Sequence, residues 1–236
     1  MNEQTAQPKT LAAVFAHPDD EASVIGTLAN HCDRGDNVHV IFMTRGENAS
    51  SLYCSPDEIM AIRQGHAKKI SDILGANYHL LDLPDSGVEL TVANAKKLAR
   101  VFKEIKPDII LTWGEAQQPG YGHPDHRYTS KLTIDAISYM RYKNEKDDYE
   151  PHRKSISLYT TYYPLKPSTE RPFFIDVSTQ LEKIMAVLDI YTEAYGNWQV
   201  KDYIKTQLNM FGRIAGVKYA EAFVKILWGT AQPYLY

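Results

Sequence analysis

The sequence predicts an α/β fold, with a mostly parallel sheet and helices on both faces. Two observations carry this. Short apolar runs alternate with amphipathic stretches through the first two thirds of the chain, which is the rhythm of βαβ units. Helix stop signals also fall where that rhythm needs them, at Gly75 and Pro107. In order, Leu11–Ala16 reads as a buried strand and Asp20–Arg34 as a helix. Asn37–Met43 is the next strand, followed by a helix over Asp57–Leu74. Tyr78–Leu81 is a third strand and Val92–Ile105 a helix. Asp108–Trp113 is a fourth strand, and Pro124–Tyr142 is helical. The charged stretch Tyr142–Lys154 reads as a surface loop within a single domain. Beyond it come strands at Ser157–Tyr163 and Phe173–Val177, then helices over Leu181–Tyr195 and Lys201–Arg213.

Bulk properties narrow the function classes. A 236-residue chain can bury roughly 70–75% of its unfolded surface, so it needs no disulfide staples. The net charge of −3 argues against a polyanionic partner such as nucleic acid. The two cysteines, Cys32 and Cys54, form no CxxC pair, and such sparse thiols fit a reducing, cytoplasmic setting. Residues Met1–Lys9 are polar and lack the apolar core of a signal peptide. No window approaches the ~18 apolar residues of a membrane span.

Chemistry concentrates in two clusters. The first, Ala16-His17-Pro18-Asp19-Asp20-Glu21, follows the first strand and opens the first helix. Open α/β sheets bind ligands at the carboxyl ends of their strands. His17 and Asp20 lie three apart, so an imidazole and a carboxylate can converge as zinc ligands. Asp19 faces elsewhere and can lean over the open side of a metal, where a general base belongs. Taken alone, the segment also fits acids that merely complement the helix dipole.

The second cluster is Tyr121-Gly122-His123-Pro124-Asp125-His126-Arg127, after the fourth strand. Pro124 suits the first helical position, which makes His123 the cap. His123 and His126 are again three apart. A catalytic zinc takes three protein ligands and one open position. His17, Asp20 and one of these two histidines complete that set, and the other histidine serves as an acid or oxyanion donor. A lone HxxH is commonly surface polarity; two such clusters, each ending a strand and opening a helix, favour a metal site.

AHPDDE after the first strand, with HPDH after a later one, resembles the LmbE-like (PIG-L) family of zinc-dependent N-acetylglucosamine de-N-acetylases. Thr44, Gly46 and Glu47 are similar to the family's motif after the second strand. Arg63, Ala67, Leu74 and Gly75 are similar to its arginine-bearing helix, and Pro84-Asp85 to its proline–acid turn. Gly216–Phe223 resembles the ending of the bacillithiol-pathway deacetylase branch. The resemblance implies a Rossmann-like fold and one Zn2+ held by His17, Asp20 and His126. It implies Asp19 as general base, with His123 and Tyr121 assisting, and Arg63 contacting polar substrate groups. Arg45, His66, Ile190, Thr192 and Glu193 depart from the family pattern; they touch the substrate side, not the metal motifs.

The expected reaction is hydrolysis of the acetamide of an N-acetyl amino sugar, giving acetate and the free amine, the amine's proton coming from Asp19 or His123. Glu21 and Glu47 are expected to support the site. Trp228, Tyr234 and Tyr236 in the tail are expected at a homo-oligomer interface, as in oligomeric relatives. Two rivals are an amide hydrolase of non-sugar or antibiotic-like substrates and a non-catalytic α/β binding module. No GxGxxG follows the first strand, so dinucleotide binding has no support.

Overall fold

The computed structural model describes residues 7–49, 52–114, 122–143, 148–163, 171–196 and 199–226. Seven strands form one sheet: β1 (Thr10–Phe15), β2 (Asn37–Thr44), β3 (Asn77–Leu83), β4 (Ile109–Thr112), β5 (Ser157–Thr161), β6 (Phe173–Asp176) and β7 (Ala220–Ile226). Their order is β3-β2-β1-β4-β5-β7-β6. Only β7 runs against the rest, antiparallel to both β5 and β6. β1 and β2 are buried almost end to end, as strands covered on both faces must be. That is why their sequences read as unbroken apolar runs.

Among the described residues, six helices complete the layers: α1 (Ile25–Asp33), α2 (Pro56–Leu74), α3 (Val92–Ile105), α4 (Pro124–Tyr139), α5 (Leu181–Tyr195) and α6 (Val200–Ala215). Residues of α1, α2, α5 and α6 share one core with Leu11, Ala13, Phe15 and Phe42 of the sheet. The opposite face packs Ala12, Val14 and Ile41 against α3 and α4. Local chemistry sets the helix ends. Ser55 and Glu58 form a reciprocal capping box ahead of Pro56. Gly75, at φ 75°, ends α2 in the left-handed conformation that glycine adopts without strain.

Two expectations need correction. The predicted helix from Asp20 is broken: Asp20–Ser23 is a 3-10 turn, Val24 is non-helical, and α1 begins at Ile25. The acids of the motif do not cap it. Asp20 turns back to accept from the backbone of Ala16 and His17. The cap comes from far along the chain: Glu221 of β7 accepts from Gly26 N at 2.8 Å and Thr27 N at 2.9 Å. A Cβ on Gly26 would lie 2.6 Å from Val177 and 2.9 Å from the Glu221 carboxylate, so this approach needs glycine. β7 itself was not anticipated as a strand, because a buried acid interrupts its apolar pattern. That acid is buried at the helix N-terminus, where backbone N–H groups favour a carboxylate.

The order of the strands reverses at β1. The chain moves outward through β2 and β3, then returns to add β4 on the other side. The carboxyl ends of β1 and β4 therefore flank the topological switch point, where such sheets bind ligands.

Two buried histidines, His39 in β2 and His66 in α2, predict an acid-sensitive fold. Burial, with the neighbouring His79 ring, pulls His39 down to about 4. Burial, with the Arg63 charge, does the same to His66. Unfolded imidazoles titrate near ~6.5. Between those values the unfolded chain binds more protons, so these two residues cost stability as pH falls through that window. Thermal melting from pH 7 to 4.5 should fall more steeply for the wild type than for a His39→Gln/His66→Gln variant; parallel curves would contradict this.

Candidate metal centre and active site

His17 leaves the end of β1 and points into the gap beside β4. Its Nδ1 lies 3.2 Å from His126 Nε2 and 3.6 Å from Asp20 Oδ2. His126 Nε2 is 3.1 Å from Asp20 Oδ1. A tetrahedral ion bonded at ~2.1 Å holds its ligand atoms about 3.4 Å apart. The two imidazole nitrogens are near that separation, and Asp20 reaches them through different oxygens, Oδ2 toward His17 and Oδ1 toward His126, so the three side chains could hold a divalent cation between them. His126 is further fixed by stacking on Trp113, with centroids 4.9 Å apart and planes at 16°.

The other edge of His17 explains how its ring is oriented. Nε2 is 3.1 Å from Asp125 Oδ2 and 3.2 Å from Asp85 Oδ1. Two carboxylates here hold the proton on Nε2 and leave the Nδ1 lone pair for an ion, the arrangement that usually supports a metal-bound histidine. Asp125 is itself pinned by Ser86 N at 2.8 Å and Val88 N at 3.3 Å. Glu47 accepts from Asp85 N and fixes its backbone, while Asn48 N donates to the Asp85 carboxylate at 3.0 Å. Burial disfavours charge on His17, yet Asp125, Asp20 and Asp85 together push its pKa up to about 12. The surroundings demand positive charge at this spot. Contacts with His126 and His17 hold the Asp20 carboxyl well below the ordinary range despite its burial.

His123 is the N-cap of α4, as the sequence predicts: its Nδ1 accepts from Asp125 N at 3.2 Å. The neutral ring therefore carries its proton on Nε2. Its ring lies 4.9 Å from that of His17, edge to face. Burial and the neighbouring His17 charge lower its pKa. His17, His123 and His126 also form a potential donor group, as do His17, Asp85 and Asp125. In the latter, Asp125 is already engaged by two backbone donors.

Asp19 sits beside this centre with φ 133°, a conformation costing of order 1–3 kcal/mol for a non-glycine residue. Three elements hold it there. Its backbone N–H donates to Glu21 at 3.1 Å, and the fully buried Glu21 accepts from Tyr191 OH at 2.5 Å. Arg63 donates to the Pro18 carbonyl and lies 3.4 Å from Asp19 Oδ2. The Arg63 guanidinium stands 5.4 Å from the Tyr195 ring centroid, and burial, with the Asp19 charge, raises the Tyr195 hydroxyl's pKa. Burial pushes Asp19 up, Arg63 opposes this and Asp20 adds to it, leaving the carboxyl at about 6. Gly46 makes room for the arginine: a Cβ there would lie 2.6 Å from the Arg63 side chain.

Arg63 is only 5% exposed, so its guanidinium is turned toward the Asp19 segment. Tyr121 lies outside the described residues, as do Trp228, Tyr234 and Tyr236. Sequence reasoning gave no role to Asp125, Tyr191 or Tyr195, and noted Asp85 only as part of a turn. Asp125 stands inside HPDH and could have been flagged; nothing in the sequence distinguishes the two tyrosines from core residues. Among the described residues no helix is long and apolar enough to cross a membrane.

Known proteins are similar in sequence and in fold. Diacetylchitobiose deacetylase of Thermococcus kodakarensis is 28% identical over 232 residues, covering 94% of this chain and 84% of that protein. The solved structure of N,N'-diacetylchitobiose deacetylase from Pyrococcus horikoshii superposes with a TM-score of 0.80 at 23% identity, covering 93% of this chain and 84% of that one. GalB, the 4-carboxy-2-hydroxymuconate hydratase of Pseudomonas putida, gives a TM-score of 0.79 at 20% identity, over 96% of this chain and 100% of that one. The fold by itself therefore does not select the reaction. The family model does more: residues 12–137, which include both histidine clusters and Arg63, match PIG-L, the GlcNAc-PI de-N-acetylases. The chain belongs to the PIG-L (LmbE-like) family of metal-dependent de-N-acetylases, and is an amide hydrolase of that kind.

Proposed function

We propose that this chain forms one zinc-dependent deacetylase domain that hydrolyses the acetamide of a small N-acetylglucosamine-containing molecule. The observation that carries the reading is the convergence of His17, Asp20 and His126 at 3.1–3.6 Å from one another. The Thermococcus kodakarensis relative, named for diacetylchitobiose, supports the sugar class. One carboxylate and two imidazoles suit zinc. A zinc ion there would polarise the amide carbonyl and make water acidic enough to attack near neutral pH.

The protein's own groups supply the proton traffic. Asp19, at about 6, accepts the proton of the attacking water as general base. His123 presents Nε2–H to the carbonyl oxygen as that atom gains charge, and Asp19 or His123 returns a proton to the leaving amine. Tyr121, two positions before His123 in the sequence, is proposed to assist. Arg63 is read as a positioning residue that acts through Asp19, since its donors face Pro18 and Asp19. A cytoplasmic setting and a homo-oligomer complete the reading, supported by the unpaired thiols Cys32 and Cys54 and by the aromatic tail.

Amine release from N-acetylglucosamine and diacetylchitobiose tests the reading. Asp19→Asn should keep one zinc per chain while turnover falls about 10²–10⁴-fold. Near-normal turnover with zinc bound would remove Asp19 as the base. Tyr191→Phe deletes one hydroxyl behind Glu21 and should lower kcat about tenfold, with KM and zinc content unchanged. An unchanged kcat, or a loss confined to melting temperature, would make the Glu21–Tyr191 contact purely structural.

A further inference from the structure

Beside the metal centre lies a cavity of about 330 Å³, within the ~300–1,000 Å³ range of small-molecule sites. Asp19, Asp20 and His126 form one wall. Ile204 and Leu208 of α6 and Ala222 of β7 give it an apolar wall, edged by Tyr203 and Gln207. Ile204 and Leu208 also belong to the main core, so this wall is held rigidly. An acetyl methyl group fills only a small part of the space.

The cavity also carries unanswered polar groups. Trp113 is 8% exposed, and its indole N–H has no hydrogen-bond partner among the described residues. The buried hydroxyl of Thr161, at the end of β5, has none either. Both residues line the cavity. A buried donor left unpaired is costly, and an acceptor atom on a ligand would relieve it.

We propose that this cavity receives an apolar substituent several carbons long, attached near the scissile amide and carrying an oxygen acceptor for Trp113 or Thr161. The inference rests on the deacetylase reading and extends it: the preferred substrate is larger and more apolar than free N-acetylglucosamine. The substituent has two possible sources, a longer N-acyl chain or an apolar aglycone. Each methylene moved from water to an apolar wall raises kcat/KM about fourfold when its burial is realised in the transition state.

The test uses zinc-loaded protein and initial rates of amine release. One series is N-acetyl-, N-butanoyl- and N-hexanoylglucosamine; the other compares N-acetylglucosamine with its hexyl glycoside. We expect kcat/KM to rise at least about tenfold along one series, and the series that rises identifies the source. Calorimetry with the products gives a second readout. Hexanoate should bind at least about tenfold tighter than acetate, or hexyl glucosaminide than glucosamine, matching the series that rises. Ala222→Leu, which narrows the cavity, should abolish the rise and leave N-acetylglucosamine turnover within about twofold. Ile204→Phe serves if that variant melts early. Flat or falling rates in both series, with N-acetylglucosamine still hydrolysed, would overturn the cavity assignment alone. No amine from any substrate would remove the deacetylase reading and the assignment with it.

Discussion

The constraint on which the site depends is a surplus of negative charge gathered from beyond the carboxyl ends of β1, β3 and β4. Asp19, Asp20, Asp85 and Asp125 gather around His17 and His126, and Arg63 is a cationic side chain beside Asp19. Four carboxylates brought this close repel one another unless something positive lies between them. The rise of His17 to about 12 expresses the same demand. A divalent cation would answer it, in the space that His17, Asp20 and His126 share. The sheet makes this possible, because the reversal at β1 places two loops that are distant in sequence side by side.

Around this centre the fold spends much of its polarity on orientation. Asp125 and Asp85 fix the His17 ring, and backbone donors fix those carboxylates in turn. Behind Asp19 stand Glu21, Tyr191, Tyr195 and Arg63, drawn from the first turn, α5 and α2. Several contacts over-determine one strained residue, which is how an unfavourable backbone conformation persists at a working site. The closeness of the GalB fold sharpens the point: the layers supply a platform, and the side chains at the switch point choose the chemistry.

Much of this was legible in the sequence. The bounds Val92–Ile105 and Leu181–Tyr195 match α3 and α5 as read, because their apolar periodicity is uninterrupted and their ends are marked. The convergence of His17, Asp20 and His126 was legible because they come in short motifs tied to strand ends. Three features were not. The break at Val24 depends on Glu221 capping α1 from a distant strand, and local patterns do not carry such long-range contacts. β7 hid behind that same buried acid. Tyr191 and Tyr195 look like core aromatics until the tertiary structure sets them against Glu21 and Asp19.

X-ray absorption at the zinc edge tests the central claim most directly. Protein loaded with one equivalent of zinc should show two imidazole nitrogens and a carboxylate oxygen at about 2.0–2.2 Å. In His126→Ala one imidazole should disappear from that shell, or the ion should no longer be retained. A wild-type shell without histidine, or one that His126→Ala leaves unchanged, would contradict the account.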